Sequence, residues 1–398
     1  MNKIQDAEIK DKKVLLRVDF NVPMKDGEIE GDKRIREALP TIQYLLDKGV
    51  QKVTIVSHLG KPDGKKDNKY SLLPVANLLA KLLKIDVEFK DFADEYQIDD
   101  KIVLLENVRF DVGEETNNPE FARKLASTSD LFINDAFGTA HRAHASTEGV
   151  TKFLPSFAGL LIQKEVENLN QLLQEARKPF TVILGGAKIA DKLPVIKNLA
   201  SRAENFLIGG GIASTFLAAR RHYMGKSLID KDDFSQANEV WQNLINDPKR
   251  NLYLPTDLVL SLSIEKAEDV QEVEVGELLQ PNFEDYAATD IGPKTIEKYI
   301  SVIRDSKTVF WNGNMGVSEI DEFANGTVDI ARALKDLSQN ENVKIVIGGG
   351  DTVTAVETIM NRPLAGGESN IFLSTGGGAT LEYLAGKVLP GLKALEKL

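Results

Sequence analysis

The chain has 398 residues, 42% hydrophobic and 27% charged, with a formal net charge of −11 and no cysteine. That length exceeds one core of ordinary size and points to two domains, while the missing cysteines exclude disulfides, thiolate catalysis and cysteine-bound zinc. Acidic overall, with neither half basic, the chain is not a general nucleic-acid binder.

No apolar run reaches bilayer-spanning length, and the opening MNKIQDAEIKDKK leads into no secretory h-region. A cytoplasmic protein without membrane or nucleic-acid partners is therefore the expectation. From end to end, short β-branched runs alternate with longer helical patterns, as in α/β folds around parallel sheets. The first candidate strands run into KVLLRVDFNVP (13–23), VTIVSHLGKP (53–62), IVLLENVRF (102–110) and LFINDAFG (131–138). Next comes FAGLLIQKEVENLNQLLQEA (157–176), with Ile162, Val166, Leu169 and Leu173 at helical spacing between Pro155 and Pro179. This reads as one helix joining two domains. Later strands end in TVILGGAK (181–188), NFLIGGG (205–211), TVFWNG (308–313), KIVIGGG (344–350) and NIFLSTGGG (370–378). Open parallel sheets bind ligands beyond the carboxyl ends of their strands, so function should collect in these turns.

The first set of turns carries Arg17, Asp19, Asn21, His58, Lys61, Arg109, His141, Arg142 and His144, and Arg34 opens a further helix. Guanidinium forks match phosphate and carboxylate geometry, so arginines converging on one sheet edge make an anion site. Taken singly, each is as readily a surface ion pair. His141 and His144 flank Arg142 in an H-x-x-H pattern that also suggests a metal. Zinc, however, wants three or four ligands, and the pattern reads better as one wall of the anion pocket.

Later turns carry glycine instead, at 209–211, 348–350 and 376–378, with GGAK at 185–188. Glycine lets backbone N–H groups approach an anion, and a following helix N-terminus adds its dipole. Asp351 either caps the next helix or, beside a phosphate cradle, holds Mg²⁺. Lys188 and Lys192, four apart, share a helix face suited to a phosphoryl group in transfer. GKS at 225–227 lacks the P-loop glycine, since Arg220 stands there, and Ser214, Val353 and Leu381 interrupt any G-x-G-x-x-G fingerprint. A phosphoryl-transfer enzyme fits best; a dinucleotide-dependent dehydrogenase and a non-catalytic two-lobed anion binder are the alternatives.

Ten stretches carry a resemblance: RVDFNVP (17–23), SHLGKP (57–62), ENVRF (106–110), INDAFGTAHRAHAST (133–147), LGGAKIADK (184–192), IGGG (208–211), DIGPKT (290–295), WNGNMGV (311–317), GGGDT (348–352) and STGGGATLE (374–382). In order and across essentially the whole chain, they resemble the phosphoglycerate kinase family. The resemblance implies two doubly wound, Rossmann-like α/β domains joined by a long helix and hinge. Its boundaries are a phosphoglycerate-binding domain at 1–156, the linking helix and hinge at 157–178, a nucleotide domain at 179–379 and a returning segment at 380–398. It implies reversible phosphoryl transfer between 1,3-bisphosphoglycerate and ADP, giving 3-phosphoglycerate and ATP in glycolysis, by a monomer whose domains close around Mg²⁺-nucleotide.

Carried over residue by residue, Asp19, Phe20, Asn21, Arg34, His58, Leu59, Gly60, Lys61, Arg109 and Arg142 match the triose-phosphate site. Lys192, Glu319, Gly349, Gly350, Asp351 and Thr352 match the nucleotide site, with Glu319 near the ribose and Asp351 on the metal side. Arg34, Lys188 and Lys192 are the implied catalytic cations. Lys61 stands where arginine is commoner, and Ile212, Thr256, Asn314, Met315 and Ser318 also depart from the usual pattern. No general base is needed, because the accepting groups, a carboxylate or an ADP phosphate oxygen, are already ionised at pH 7.

Overall fold

The computed structural model describes residues 1–91, 101–360 and 370–396. Two compact units divide the chain, Met1–Glu167 with Val388–Leu398, and Asn168–Lys387. The boundary falls inside the helix Leu160–Gln174, which answers to the helical spacing read over 157–176.

In the first unit, β1 (Lys13–Arg17) leads to a small hairpin, β2 (Met24–Lys25) and β3 (Glu28–Ile29), and then to β4 (Lys52–Val56), β5 (Glu88–Lys90), β6 (Ile102–Leu105), β7 (Leu131–Asn134) and β8 (Ser156–Ala158). Apart from the hairpin, these strands form one six-stranded sheet ordered β5-β6-β4-β1-β7-β8, parallel throughout. Its central strands are buried on both faces, as a parallel sheet flanked by helices requires. Val14, Leu16, Val53, Ile55 and Ile133 pack with Ile35, Ala38 and Ile42 of the helix Lys33–Asp47. Side chains alternate, so Leu15, Val103 and Phe132 turn to the other face, against Phe121 and Leu125. Each such fully buried aliphatic residue contributes about 1.5–3 kcal/mol, so the sheet edges are anchored from below.

The second unit holds β9 (Phe180–Leu184), β10 (Asn205–Ile208), β11 (Asn251–Tyr253), β12 (Asp257–Ser261), β13 (Gln271–Glu274), β14 (Ala287–Ile291), β15 (Thr308–Asn312), β16 (Lys344–Gly348) and β17 (Ile371–Leu373). Six of them make a second parallel sheet, ordered β11-β10-β9-β15-β16-β17. The three others form an antiparallel sheet, β13-β12-β14, with its own small core around Leu258, Leu260 and Val273. That sheet was not foreseen: its segments are short and lack the strand–glycine–helix rhythm that marks the rest.

In both large sheets the strand order reverses beside the first strand, between β1 and β7 and between β9 and β15. The crevice at such a switch point is where α/β sheets bind ligands. The helix Leu160–Gln174 starts against the first unit, where Asp135 accepts from the N–H groups of Leu161 (2.8 Å) and Ile162 (3.2 Å). Thr41 Oγ1 accepts from Leu160 N–H at 3.0 Å.

At its other end the chain comes back to the first unit from Val388, not from residue 380. Residues 380–387 stay with the second unit, because the helix Gly378–Leu384 packs on the helix Leu193–Leu199. The returning segment closes on the loop after β7, where Gly391 N–H donates to Ala140 O at 2.9 Å.

Within the second unit, the buried Tyr299 hydroxyl lies 2.6 Å from Ile208 O and 2.9 Å from Tyr253 O, tying the helix Pro293–Asp305 to the ends of β10 and β11. The hydroxyl has one proton to give, and Tyr299→Phe takes that donor from the buried Ile208 carbonyl, the nearer of the two, so it is expected to lower unfolding stability by about 1–3 kcal/mol. A urea titration reads this, and an unchanged midpoint would contradict the role.

Candidate active site

In the first unit, a patch of charge forms where β1, β4, β6 and β7 end. Asp19, just past β1, is the hub. Its Oδ2 accepts from Arg34 Nη1 at 2.8 Å, and its Oδ1 accepts from Asn21 N–H at 3.1 Å. Asn21 Oδ1 in turn accepts from Gly60 N–H at 2.9 Å, and Arg109 Nη1 donates to Gly60 O at 2.7 Å. Ser57 Oγ holds Phe20 N–H at 2.8 Å, and Asn107 Nδ2 holds Leu59 O at 2.7 Å. Phe20 and Leu59 are thus buried supports, and their side chains present no polar group to a ligand. Lys61 is exposed next to Gly60.

Arg142 is half-buried and its Nε donates to His141 Nε2 at 3.2 Å. Arg109 Nε lies 3.2 Å from Glu115 Oε1, yet it makes no aligned hydrogen bond and is fully buried. Such a guanidinium has donor capacity left for an anion.

The electrostatics follow from burial and crowding. Burial would raise the Asp19 carboxyl, but Arg34 and Arg17 outweigh it and hold the group below its ordinary value. Burial lowers Arg109, with Arg142 close enough to add to the effect. His58 is driven well below its ordinary value, first by burial and then by Arg17, Arg109 and Arg34, against the pull of Asp19. Burial and the arginines push His144 down to about 3. His58 and His144 therefore add hydrogen-bonding groups and not positive charge to this patch.

The second unit contains a cleft of 720 Å³ at the carboxyl edge of its parallel sheet. Lys188, Lys192, Glu319, Gly349, Gly350, Asp351 and Thr352 all line it, so these seven residues meet in one place. The backbone makes that possible. Gly186 N–H donates to Asn314 O at 2.8 Å, Gly210 N–H to Met315 O at 2.8 Å, and Gly313 N–H to Thr352 Oγ1 at 2.9 Å. Gly313 has φ +95°, and a Cβ there would lie 2.2 Å from Gly185 O, so no other residue fits. Gly349, at φ +94°, opens the helix Gly350–Met360 and exposes its first N–H groups to the cleft.

Lys192 precedes the helix Leu193–Leu199, and burial lowers its ammonium, with Asp191 opposing. Lys188, Glu319 and Asp351 stand exposed on the wall. Glycines 376–378 are not among the lining residues; Gly377, at φ +52°, caps the helix Gly378–Leu384.

Several contributors escaped the sequence reading. Leu258 and Ile264 supply apolar wall from the antiparallel sheet and its connection, Leu228 adds to it from the segment after the helix Gly210–Ala219, and Asn312 and Asp290 also line the cleft. In the first unit, Glu114 and Ser146 join Arg17 in a buried network. Neither Glu in VGEET (112–116) carries a mark of burial, so no sequence signal was available.

Because His144 is held near 3 when folded against 6.5 ordinarily, the unfolded chain takes up its proton first on acidification. Its contribution to stability is present above pH 6.5 and is lost as pH falls toward 3. His144→Gln is expected to lose less stability than the parent between about pH 7 and about pH 4, in paired denaturant titrations. Equal losses would show that His144 does not sense pH.

Comparison with known proteins agrees with this geometry. The family model of phosphoglycerate kinase matches residues 4–387. Phosphoglycerate kinase of Dictyoglomus turgidum is 45% identical over 403 residues, covering 99% of this chain and 98% of that protein. The enzyme of Pelotomaculum thermopropionicum is 45% identical over 400 residues, covering 98% of each. Among solved structures, phosphoglycerate kinase from Coxiella burnetii superposes with a TM-score of 0.82 at 35% identity, covering 99% of this chain and 98% of that one. The Pyrococcus horikoshii enzyme gives 0.84 at 32% identity, covering 100% and 98%. A family model over nearly the whole chain and relatives at 45% identity place it: the chain belongs to the phosphoglycerate kinases, which transfer a phosphoryl group between a nucleotide and a carboxyl group.

Proposed function

We propose that the first unit binds 3-phosphoglycerate or 1,3-bisphosphoglycerate on its arginine patch, and that the second binds ADP or ATP in its cleft. The observation that carries this assignment is the division of chemistry. Guanidinium groups and Asn21 gather on one unit, and glycine N–H groups, Lys188, Lys192 and Asp351 gather on the other. In this reading Arg109, Arg142 and Lys61 bind the triose phosphate's anionic groups, and Asp19, Asn21 and His58 orient it. Glu319 binds the ribose, while Gly349, Gly350 and Thr352 carry the nucleotide phosphates.

An exposed carboxylate beside a phosphate cradle fits Mg²⁺, which takes one or two carboxylates and completes its shell with phosphate oxygens and water. Asp351 would hold it, and the bound ion would neutralise charge on the nucleotide phosphates. Arg34 and Lys188 are proposed to stabilise the phosphoryl group in flight, with Lys192 beside them. Arg34 suits this because Asp19 fixes one Nη and leaves the rest of the fork available. With ionised acceptors on both sides, the work is alignment and charge neutralisation, without a general base. Ligands held on separate units must meet for in-line transfer, so closure of the units belongs to the proposal. So do a monomeric state and a cytoplasmic location, as the family resemblance implies, and light scattering on the purified protein tests the first.

A coupled assay with 3-phosphoglycerate and MgATP tests the whole, and Arg34→Ala tests its centre. Turnover is expected to fall by roughly 10²–10³ or more, with ADP affinity by calorimetry nearly intact; unchanged turnover ends the catalytic role. Asp351→Asn is expected to raise the KM for MgATP and leave 3-phosphoglycerate binding alone. Should both affinities stay as they were, the metal assignment falls.

A further inference from the structure

Beneath the arginine patch lies a buried relay that the reaction as described does not use. Glu114, in the short helix Val112–Glu115, is fully buried, yet its carboxylate makes no direct ion pair with an arginine among the described residues. Ser146 satisfies it twice: the hydroxyl donates to Oε1 at 2.6 Å and the backbone N–H to Oε2 at 2.9 Å. Arg17 can only donate, so Ser146 Oγ accepts from it and commits its own proton to Glu114. The lone pairs of the same hydroxyl then face Arg17 Nε, which donates to it at 2.8 Å.

Arg17 is itself buried, with Nη1 on Val18 O and Nη2 3.2 Å from His58 Nδ1. Guanidinium has donors and no acceptor, so a hydrogen bond here requires His58 Nδ1 to be bare. Asp19, 3.8 Å from the same nitrogen, is beyond hydrogen-bond reach and does not reverse this choice.

We infer that Glu114 and Ser146 are positioning residues for substrate binding: acting through Arg17, they hold His58 as the neutral imidazole protonated on Nε2, which offers the triose-phosphate ligand an N–H donor. A histidine among arginines in an anion site would ordinarily be taken as one more cation. Here it supplies direction and not charge. The charged groups around His58 are Asp19, Arg17, Arg34 and Arg109, three cations against one anion, so the neutral form also suits its surroundings. The inference rests on the assignment of this patch to the triose phosphate.

The test is the ¹⁵N–¹H spectrum of the imidazole side chains in the full-length protein, with His58 assigned through His58→Gln. His58 is expected to carry its proton on Nε2 alone at neutral pH. Ser146→Ala and Glu114→Gln are expected to mix the tautomers and to raise the KM for 3-phosphoglycerate on the order of tenfold, a change of about 1.4 kcal/mol. The KM for MgATP should stay within about twofold, which a merely structural lesion affecting the whole enzyme would not deliver. A wild-type His58 protonated on Nδ1, or on both nitrogens, overturns the inference. So do folded variants that keep both the tautomer and the KM. Should Glu114→Gln not fold, the wild-type spectrum and Ser146→Ala still decide. Finally, 3-phosphoglycerate should shift the His58 signal. If it leaves that signal unmoved, the site assignment fails and the ligand half of the inference with it, while the ligand-free tautomer reports on the relay alone.

Discussion

Strands that run parallel must all end at the same edge of their sheet, and the chemistry of this protein depends on that constraint. In the first unit β1, β4, β6 and β7 deliver Asp19, His58, Arg109 and the 137–147 loop to one edge. In the second, β9, β15 and β16 deliver Gly186, Gly313 and Gly349. The strands below are buried on both faces, so the edges sit on rigid ground while the turns above remain free to carry function. Without parallel pairing, residues more than a hundred positions apart would have no reason to meet.

The two edges handle anions differently. The first relies on charge, and crowding guanidinium groups is costly unless carboxylates are interleaved. Asp19 does this on Arg34 and Glu115 on Arg109, while Glu114 reaches Arg17 only through the Ser146 hydroxyl. Breaking one of these pairings would leave a buried charge uncompensated, a larger loss than the pairing itself contributes. The second edge relies on backbone dipoles, which need no counter-charge but demand glycine wherever chains approach closely. A dissociative phosphoryl transfer asks for both, a fork that steers one anion and a cradle that spreads the charge of another.

Much of this was legible from residues alone. The apolar runs marked the parallel strands because a strand buried on both faces has to be apolar throughout, and the turns after them announced their content in arginine or glycine. Arg34, Arg109, Lys192 and Asp351 stood out for what their side chains can do. Missed were the antiparallel sheet, which carries no such rhythm, and with it the apolar wall of the cleft at Leu258 and Ile264. The glycines at 376–378, a run like those of the cradle, do not line the cleft of the second unit.

What the sequence determined by itself was therefore class, family and the chemical type of each strand end, because these depend on local pattern and on motifs of many residues in fixed order. Tertiary structure decided which groups are charged and what each one faces. Asp19 is held ionised because Arg34 lands on it, and His144 is held neutral because it is buried among arginines brought from other strands. Proton equilibria answer to the field of everything nearby, and only the folded chain decides what is near.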